Sequence, residues 1–445
     1  MTTRLFGTDG VRGIANDDLS PEMAFRLGEA AGRYLCDHDR GRIVVGRDTR
    51  RSGDMLEAAL VAGMNSAGAD VLLAGIIPTP GVALLIRELR ADGGAVISAS
   101  HNPAEYNGIK FFNREGLKLP DELEDEIAEL IAGPGPHERP TGSGVGTITR
   151  VADPVERYVL HAMDTITGDL AGLRIAVDCG HGAASVSTPE ALRRLDAEIS
   201  VVNCDWDGMD INRDAGSTHI DRIAAVVAAG AFDVGISHDG DADRVLFVDE
   251  HGTAVDGDVV MAICARHLRE IGELPKDTLV ATVMSNMGLE VAMRELGVTL
   301  IRTKVGDRYV LEQMIASGAA IGGEQSGHVI FLEHNTTGDG LITALQLLAI
   351  VRDSGKPLSE LARVMHHYPQ VLVNVSVSDK GRLSASAAVT QAIHEAERLL
   401  GEEGRVLVRA SGTEPYVRVM VEAADETTAH SIADTLTSVV ASELV

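Results

Sequence analysis

The chain has 445 residues, 45% hydrophobic and 24% charged, with a formal net charge of −27; this exceeds what one core supports, implies roughly three or four domains, and excludes a disordered or fibrous protein. The acidic balance argues against nucleic acid or an anionic membrane as partner, because both need a positive surface to displace counterions; a small anion needs only a local cluster of Arg, Lys and backbone N–H groups. Cys36, Cys179, Cys204 and Cys264 lie far apart with no C-x-x-C pair, and neither an apolar leader nor a membrane-length apolar run occurs, so the expected setting is a reducing cytoplasm, without disulfide framework, zinc site or membrane span.

Ser20-Pro21 offers an N-cap followed by proline at N1, opening a helix with Met23, Leu27, Ala30, Ala31 and Tyr34 on one face. Residues 42–46 (RIVVG) then begin a pattern that returns at 174–178 (RIAVD) and 279–283 (LVATV): a short β-branched strand, a polar Gly-containing loop, an Ala/Leu/Met-rich helix, a break and a second strand (VLLAG, ISVVN, TLIRT). Strands alternating with single helices imply right-handed crossovers, mostly parallel sheets and three similar α/β domains. Ligands of such sheets bind beyond the carboxyl ends of the strands.

Within the first repeat's domain, a strand-like run over 94–98 ends in Ala99-Ser100-His101-Asn102-Pro103, and Pro120-Asp121 precedes a helix with Leu123, Ile127, Leu130 and Ile131 at helical spacing. Residues 133–146 (GPGPHERPTGSGVG) read as a loop or linker. A helix from about residue 154 to 165 is expected to lead into the second domain. After His366-His367-Tyr368-Pro369 the texture changes to QVLVNVSV, an amphipathic helix over 385–400 and VLVRASGTEPYVRVMVEA, a smaller α+β domain. The expected domain limits are 1–152, 153–252, 253–368 and 369–445.

Ser100 is a weak nucleophile unless a base, a metal or a reactive donor activates it. His101 adjoins it, but neighbours on an extended chain point apart, so Lys110 in NGIKFF is the preferred proton-handling group; a plain Asn-Pro surface turn is the alternative. The loop SHDGDADR crowds Asp239, Asp241 and Asp243 together, and a divalent cation would relieve their repulsion, roughly 3–4 kcal/mol per pair at an effective dielectric of 20. Oxygen-only ligands indicate Mg²⁺, Mn²⁺ or Ca²⁺. The spacing imitates a calcium-binding EF-hand with Glu250 at the twelfth position, but Arg244 stands where that loop needs glycine and VLFVD continues as strand. A solvated acidic turn is the alternative. Three protein ligands would leave a coordination position for an oxygen of phosphorylated Ser100.

In AIGGEQSGHVIF, Glu324, Ser326 and His328 alternate and would face one way, suiting sugar hydroxyls, unless this is a Gly-rich bend before a buried strand. In VRASGTEPYVRV, Arg409 and Arg418 flank Ser411, Gly412 and Thr413, a turn whose donors suit phosphate, against the alternative of a hairpin with surface arginines. Arg12 sits on another Gly-bounded loop, FGTDGVRG.

FGTDGVRG, SASHNPAEYNGIKFF, DGDADR, VGDRYV, GGEQSGH and SGTEP, in that order over essentially the whole chain, resemble the α-D-phosphohexomutase superfamily, and FGTDG, SAS before His101 and Gln325 in GEQSG resemble its glucosamine-type branch. The resemblance implies four domains around a central cleft, three α/β and a last α+β domain that binds phosphate. It implies that Ser100 is the phosphoserine, that Asp239, Asp241 and Asp243 hold one Mg²⁺ with a Ser100 phosphate oxygen, and that Glu324 and Ser326 bind the sugar. Arg409, Ser411, Gly412, Thr413 and Arg418 match the distal phosphate loop; Arg12, Lys110, Arg244 and His328 match groups near the transferring phosphoryl, and Ser100, His101 and Lys110 are the expected catalytic residues. The implied reaction interconverts glucosamine 6-phosphate and glucosamine 1-phosphate through a 1,6-bisphosphate, with glucosamine or glucose 1,6-bisphosphate as an activator and a monomer or homodimer as the working form. The rival activities are phosphomannomutase/phosphoglucomutase, a phosphatase forming an aspartyl-phosphate on Asp239 or Asp241, and a non-catalytic phosphosugar-binding protein.

Overall fold

In the computed structural model, which describes residues 4–7, 9–36, 40–133, 138–411 and 416–445, each repeat folds as its pattern predicts. The first sheet consists of β1 (Val11–Ile14), β2 (Arg42–Arg47), β3 (Asp70–Ile76), β4 (Gly93–Ile97), β5 (Tyr106–Asn113) and β6 (Ile148–Arg150), in the order β1-β5-β4-β2-β3-β6. The second contains β7 (Arg174–Asp178), β8 (Glu198–Val202), β9 (Val234–His238), β10 (Val245–Asp249) and β11 (Ala254–Val255), ordered β11-β10-β9-β7-β8. The third is β13-β12-β14-β15, built from β12 (Thr278–Thr282), β13 (Thr299–Thr303), β14 (Ile321–Gly323) and β15 (Val329–Phe331).

The strand pair of every repeat is parallel: β2 with β3, β7 with β8, β12 with β13. Each sheet then adds antiparallel strands on one side, so the sheets are mixed. These additions matter for function. The β4–β5 connection carries Ser100 and the β9–β10 connection carries the three aspartates, so both chemistry-bearing loops lie where a parallel strand turns back on itself.

Local signals explain the helices. Ser20 caps Pro21–Tyr34 by accepting a hydrogen bond from the Met23 N–H, with proline at the first position. That helix crosses Gly53–Ser66 at backbone contact: a Cβ on Gly28 would lie 2.0 Å from the Leu60 carbonyl oxygen, and one on Gly63 would lie 2.1 Å from that of Phe25. The side chains around this crossing, including Leu27, Leu56, Leu60 and Met64, are fully buried with Ile43 and Ile97 of the sheet. Gly28→Ala should therefore force the helices apart and cost about 1–3 kcal/mol, read as a lower thermal midpoint; an unchanged midpoint would show that the contact is not tight.

Residues 1–283 and 298–363 form one compact unit, and residues 284–297 and 364–445 form a second. In this division the third repeat's connecting helix, Met287–Glu295, groups with the C-terminal residues. The physical reason is a buried carboxylate. Glu422, fully buried, accepts hydrogen bonds from Asn286 Nδ2 at 3.1 Å, the Met287 N–H at 3.0 Å and Gln370 Nε2 at 2.8 Å, and pairs with Arg405. The second unit's sheet, β16 (Gln370–Ser376), β17 (Gly404–Ala410) and β18 (Tyr416–Ala423), has β18 in the middle and all pairs antiparallel. Helices Ala387–Leu400 and Glu426–Leu444 complete the α+β arrangement; the sequence pattern indicated only the first of them.

Candidate active site

β4 is followed by the small residues Ser98 and Ala99, and Ser100 after them adopts φ +52°. The backbone is therefore left-handed at Ser100, not extended, and this corrects the expectation about His101: Ser100 Oγ and His101 Nδ1 are 3.5 Å apart. The left-handed turn also aims the hydroxyl across to the second sheet, where Ser100 Oγ donates to Asp239 Oδ2 at 2.6 Å. Ser100 and all three aspartates are buried.

Ligand oxygens of Asp239, Asp241 and Asp243 lie within 4.8 Å of one another, a spacing at which each charge pair costs about 3.5 kcal/mol at an effective dielectric of 20. Burial, reinforced by the charges of Asp243 and Asp241, pushes the Asp239 carboxyl well above the usual carboxylate range. Burial also works to raise Asp243, but Lys110, His328 and Arg244 outweigh it and hold that carboxyl below its ordinary value. Asp241 Oδ1 and Asp243 Oδ1 are buried and receive no hydrogen bond. Orphaned, converging carboxylate oxygens with no nitrogen or sulfur donor among them fit a hard divalent cation such as Mg²⁺.

Cationic groups surround the trio. Lys110 Nζ is 3.0 Å from Asp241 Oδ2, 3.1 Å from Asp9 Oδ2 and 3.8 Å from Asp243 Oδ2. Burial tends to neutralise it, but Asp241, Asp9 and Asp243 raise its pKa, so it stays protonated. Arg244 donates from its backbone N–H to Asp239 Oδ1 at 3.2 Å and from Nη1 to His101 Nδ1 at 3.2 Å. Burial, then Arg244 and Arg12, push the His101 pKa down to about 4, leaving a neutral ring at neutral pH. His328 is buried with Nδ1 3.6 Å from Asp243 Oδ2, while its Nε2 accepts the Gly338 N–H at 3.0 Å; that bond assigns the ring hydrogen to Nδ1, facing the carboxylate.

Glu324, Ser326 and His328 do not share a strand face as their alternation suggests. β14 ends at Gly323, and the next residues form a turn that leaves Glu324 half-buried, Ser326 exposed and His328 buried. Glu324 accepts the Gly306 N–H at 3.2 Å and Ser326 Oγ approaches Glu324 Oε2 at 3.4 Å, which keeps those two together.

In the second unit, Arg409 and Arg418 are direct cross-strand partners on β17 and β18. Burial, then the Arg418 charge, lower the Arg409 pKa. Like charges set opposite each other destabilise a hairpin, and an anion bound between them would relieve that. The Ser411 N–H donates to the Tyr416 carbonyl at 2.8 Å; Gly412 and Thr413 lie outside the described residues.

Several site residues escaped sequence reasoning. Asp9 pairs with Arg12, Lys110 and Lys118, and half-buried Lys118 also pairs with Asp307. Thr79 donates its hydroxyl to Asp241 Oδ2 at 2.6 Å and its N–H to the Asp241 carbonyl. Asp9 stands inside FGTDG, and Asp307 follows Gly306 as the first residue of the helix Asp307–Ser317, so the available signal was a carboxylate beside a glycine.

Four family models match the chain: phosphoglucomutase/phosphomannomutase alpha/beta/alpha domain I over residues 3–135, domain II over 156–252, domain III over 256–368, and the C-terminal domain over 372–439. A phosphoglucosamine mutase of Desulforudis audaxviator is 54% identical over 439 residues, covering 98% of this chain and 97% of that protein. A crystal structure of a phosphoglucomutase/phosphomannomutase family protein from Burkholderia thailandensis has a TM-score of 0.85 at 25% identity, covering 100% of this chain and 98% of that one. Aspergillus fumigatus N-acetylphosphoglucosamine mutase, solved with GlcNAc-6P and magnesium, shares the fold with a TM-score of 0.72 at 19% identity, covering 99% of this chain and 96% of that one.

Proposed function

The chain belongs to the phosphoglucomutase/phosphomannomutase family, and from that premise we propose that it interconverts glucosamine 6-phosphate and glucosamine 1-phosphate, with Ser100 as phosphoryl carrier. The observation that carries the reading is the 2.6 Å contact between Ser100 Oγ and Asp239 Oδ2, at the edge of a buried three-carboxylate cluster. The relatedness at 54% identity to a phosphoglucosamine mutase supports the choice of amino sugar.

In the forward direction the bond from phosphorus to Ser100 Oγ breaks as that to O1 of glucosamine 6-phosphate forms, the O1 proton passing in net to Ser100 Oγ and giving the 1,6-bisphosphate; after the bisphosphate turns over, the bond from phosphorus to O6 breaks as that to Ser100 Oγ forms, the serine proton passes in net to O6, and glucosamine 1-phosphate is released. One Mg²⁺ per chain, held by Asp239, Asp241 and Asp243, would supply charge neutralisation at the transferring phosphoryl oxygens. When the phosphoryl returns, the Ser100 hydroxyl proton has an acceptor already in hydrogen-bond contact, Asp239 Oδ2. Protonated Lys110 and Arg244 act as fixed positive charges around the reacting group, and neutral His101, oriented by Arg244, lines it beside Ser100. Glu324 and Ser326 bind sugar hydroxyls, with Arg12 and His328 completing the surroundings of the transferring phosphate. Arg409, Ser411, Gly412, Thr413 and Arg418 hold the phosphate that is not reacting. Glucosamine or glucose 1,6-bisphosphate is the proposed activator. Among the described residues no helix is long and apolar enough to cross a membrane, and a cytoplasmic address fits sugar-phosphate substrates. The domain limits proposed are 1–152, 153–252, 253–368 and 369–445.

The test compares kcat/KM on glucosamine, glucose and mannose 6-phosphates. A preference for the amino sugar of at least about tenfold is expected, a threshold well under the roughly 10⁴–10⁵-fold reached by sites built to hydrogen-bond a substrate group. Equal or better turnover of glucose or mannose 6-phosphate would assign the chain to the phosphoglucomutase/phosphomannomutase activity instead.

A further inference from the structure

We propose that Arg50, with Asn212 as its counterpart from the second sheet's domain, is a positioning residue that holds the Ser100 turn in its reactive conformation; this rests on the reading of Ser100 as phosphoryl carrier. Arg50 is 1% exposed, and its guanidinium is spent almost entirely on backbone carbonyls. Nη2 donates to the Ser100 and Asn102 carbonyls, each at 2.8 Å. Nη1 donates to the Tyr106 carbonyl at 2.9 Å and to that of Pro103. The remaining donor, Nε, binds Asp48 Oδ2 at 2.9 Å.

The pattern is specific to the serine turn. Asn212 Nδ2 donates to the same Ser100 and Asn102 carbonyls, at 2.8 and 3.0 Å. Asp48 Oδ2 also accepts the Ser98 hydroxyl at 2.6 Å, and Ser98 Oγ in turn accepts the Ser100 N–H at 2.9 Å. Both backbone groups of Ser100 are thereby tied, one by the guanidinium and amide, the other through Ser98. Tying them fixes the left-handed backbone at φ +52°, a conformation a non-glycine residue adopts only when its surroundings impose it. With the carbonyls turned inward to Arg50, the hydroxyl points the opposite way, to Asp239. The metal loop leaves room for this clamp: a Cβ at Gly240 would lie 2.6 Å from the Ser100 carbonyl oxygen and 2.9 Å from Asn212 Nδ2.

Arginine suits the task because its planar fork offers five fixed donors, whereas a lysine ammonium has three and no plane to span four carbonyls. Arg50→Lys keeps the charge beside Asp48 and loses the fork. Asn212→Ala removes two hydrogen bonds and no charge. Neither residue touches substrate in the proposed mechanism, so their loss should lower kcat and leave KM within about threefold. Displacement of a reacting atom by about 1 Å costs about 100-fold in rate; that is the expected fall for Arg50→Lys, with about tenfold for Asn212→Ala.

The experiment uses the full-length chain with glucosamine 6-phosphate and glucose 1,6-bisphosphate, measuring kcat, KM, the thermal midpoint and, by intact mass, the rate at which Ser100 acquires phosphate. Support is a fall in kcat and in phosphorylation rate at unchanged KM, with Asn212→Ala unfolding at nearly the wild-type temperature. If Arg50→Lys fails to fold, because it disturbs a buried ion pair, Asn212→Ala decides alone. Wild-type kcat and phosphorylation rate in Asn212→Ala or in folded Arg50→Lys, beside an active wild type, overturns the proposal. A wild type that neither turns over nor takes phosphate on Ser100 overturns the functional reading, and the proposal with it.

Discussion

Ser100→Ala is expected to bring mutase turnover to background, a loss on the order of 10⁴-fold or more, as when a covalent nucleophile is removed from an enzyme. The fold should survive. The variant loses one hydrogen bond, to Asp239, while the backbone bonds of the turn to Arg50, Asn212 and Ser98 involve main-chain atoms that alanine retains. Intact mass after exposure to glucose 1,6-bisphosphate should show one added phosphate on the wild type and none on the variant. A variant that still accepted phosphate would redirect attention to an aspartyl-phosphate on Asp239 or Asp241, and one that kept its turnover would remove the serine from the mechanism.

Asp241→Asn should weaken Mg²⁺ binding by about 100-fold or more, since even outer-shell changes at metal sites cost 10–100-fold. Asp241 Oδ2 is already occupied by Thr79 Oγ1 and Lys110 Nζ, and Oδ1 is the atom left without a partner. An amide rotated either way puts an NH₂ where an acceptor is needed, against the metal or against Lys110 and Thr79. Calorimetric titration gives the affinity directly. The thermal midpoint gives it independently, because a ligand at 100 times its dissociation constant adds about 2.7 kcal/mol to stability; Mg²⁺ should raise the wild-type midpoint and leave that of Asp241→Asn unmoved at the same concentration. An equal rise in both would place the cation elsewhere.

The fold was legible where local chemistry repeats. The three β-branched runs, the Ser20-Pro21 cap and the helical spacing after Pro120 each report on neighbours within a few residues, and each became the element expected. The cluster of Asp239, Asp241 and Asp243 was legible for the same reason, since their crowding is written in consecutive letters. What stayed hidden depends on pairs distant in the chain. Nothing near Asp9 announces that it will meet Lys110 and Lys118, and Arg50 reads as one arginine in a run of polar residues until residues 98–106 fold over it. The left-handed turn at Ser100 was equally invisible, because serine carries no marker for positive φ as glycine does. Alternation misled at Glu324, Ser326 and His328: a two-residue period marks a strand only where a strand continues, and there the chain turns.

The grouping of residues 284–297 with the C-terminal unit means that the polypeptide passes between the two units three times, after residues 283, 297 and 363. A spatial module and a sequence segment are thus not interchangeable here. Grafting residues 369–445 onto a foreign body would import Glu422 with Gln370 and Arg405 but without Asn286 and Met287, two of its hydrogen-bond donors, leaving a buried carboxylate short of partners. Recombination that respects this architecture must carry the short internal segment along with the tail.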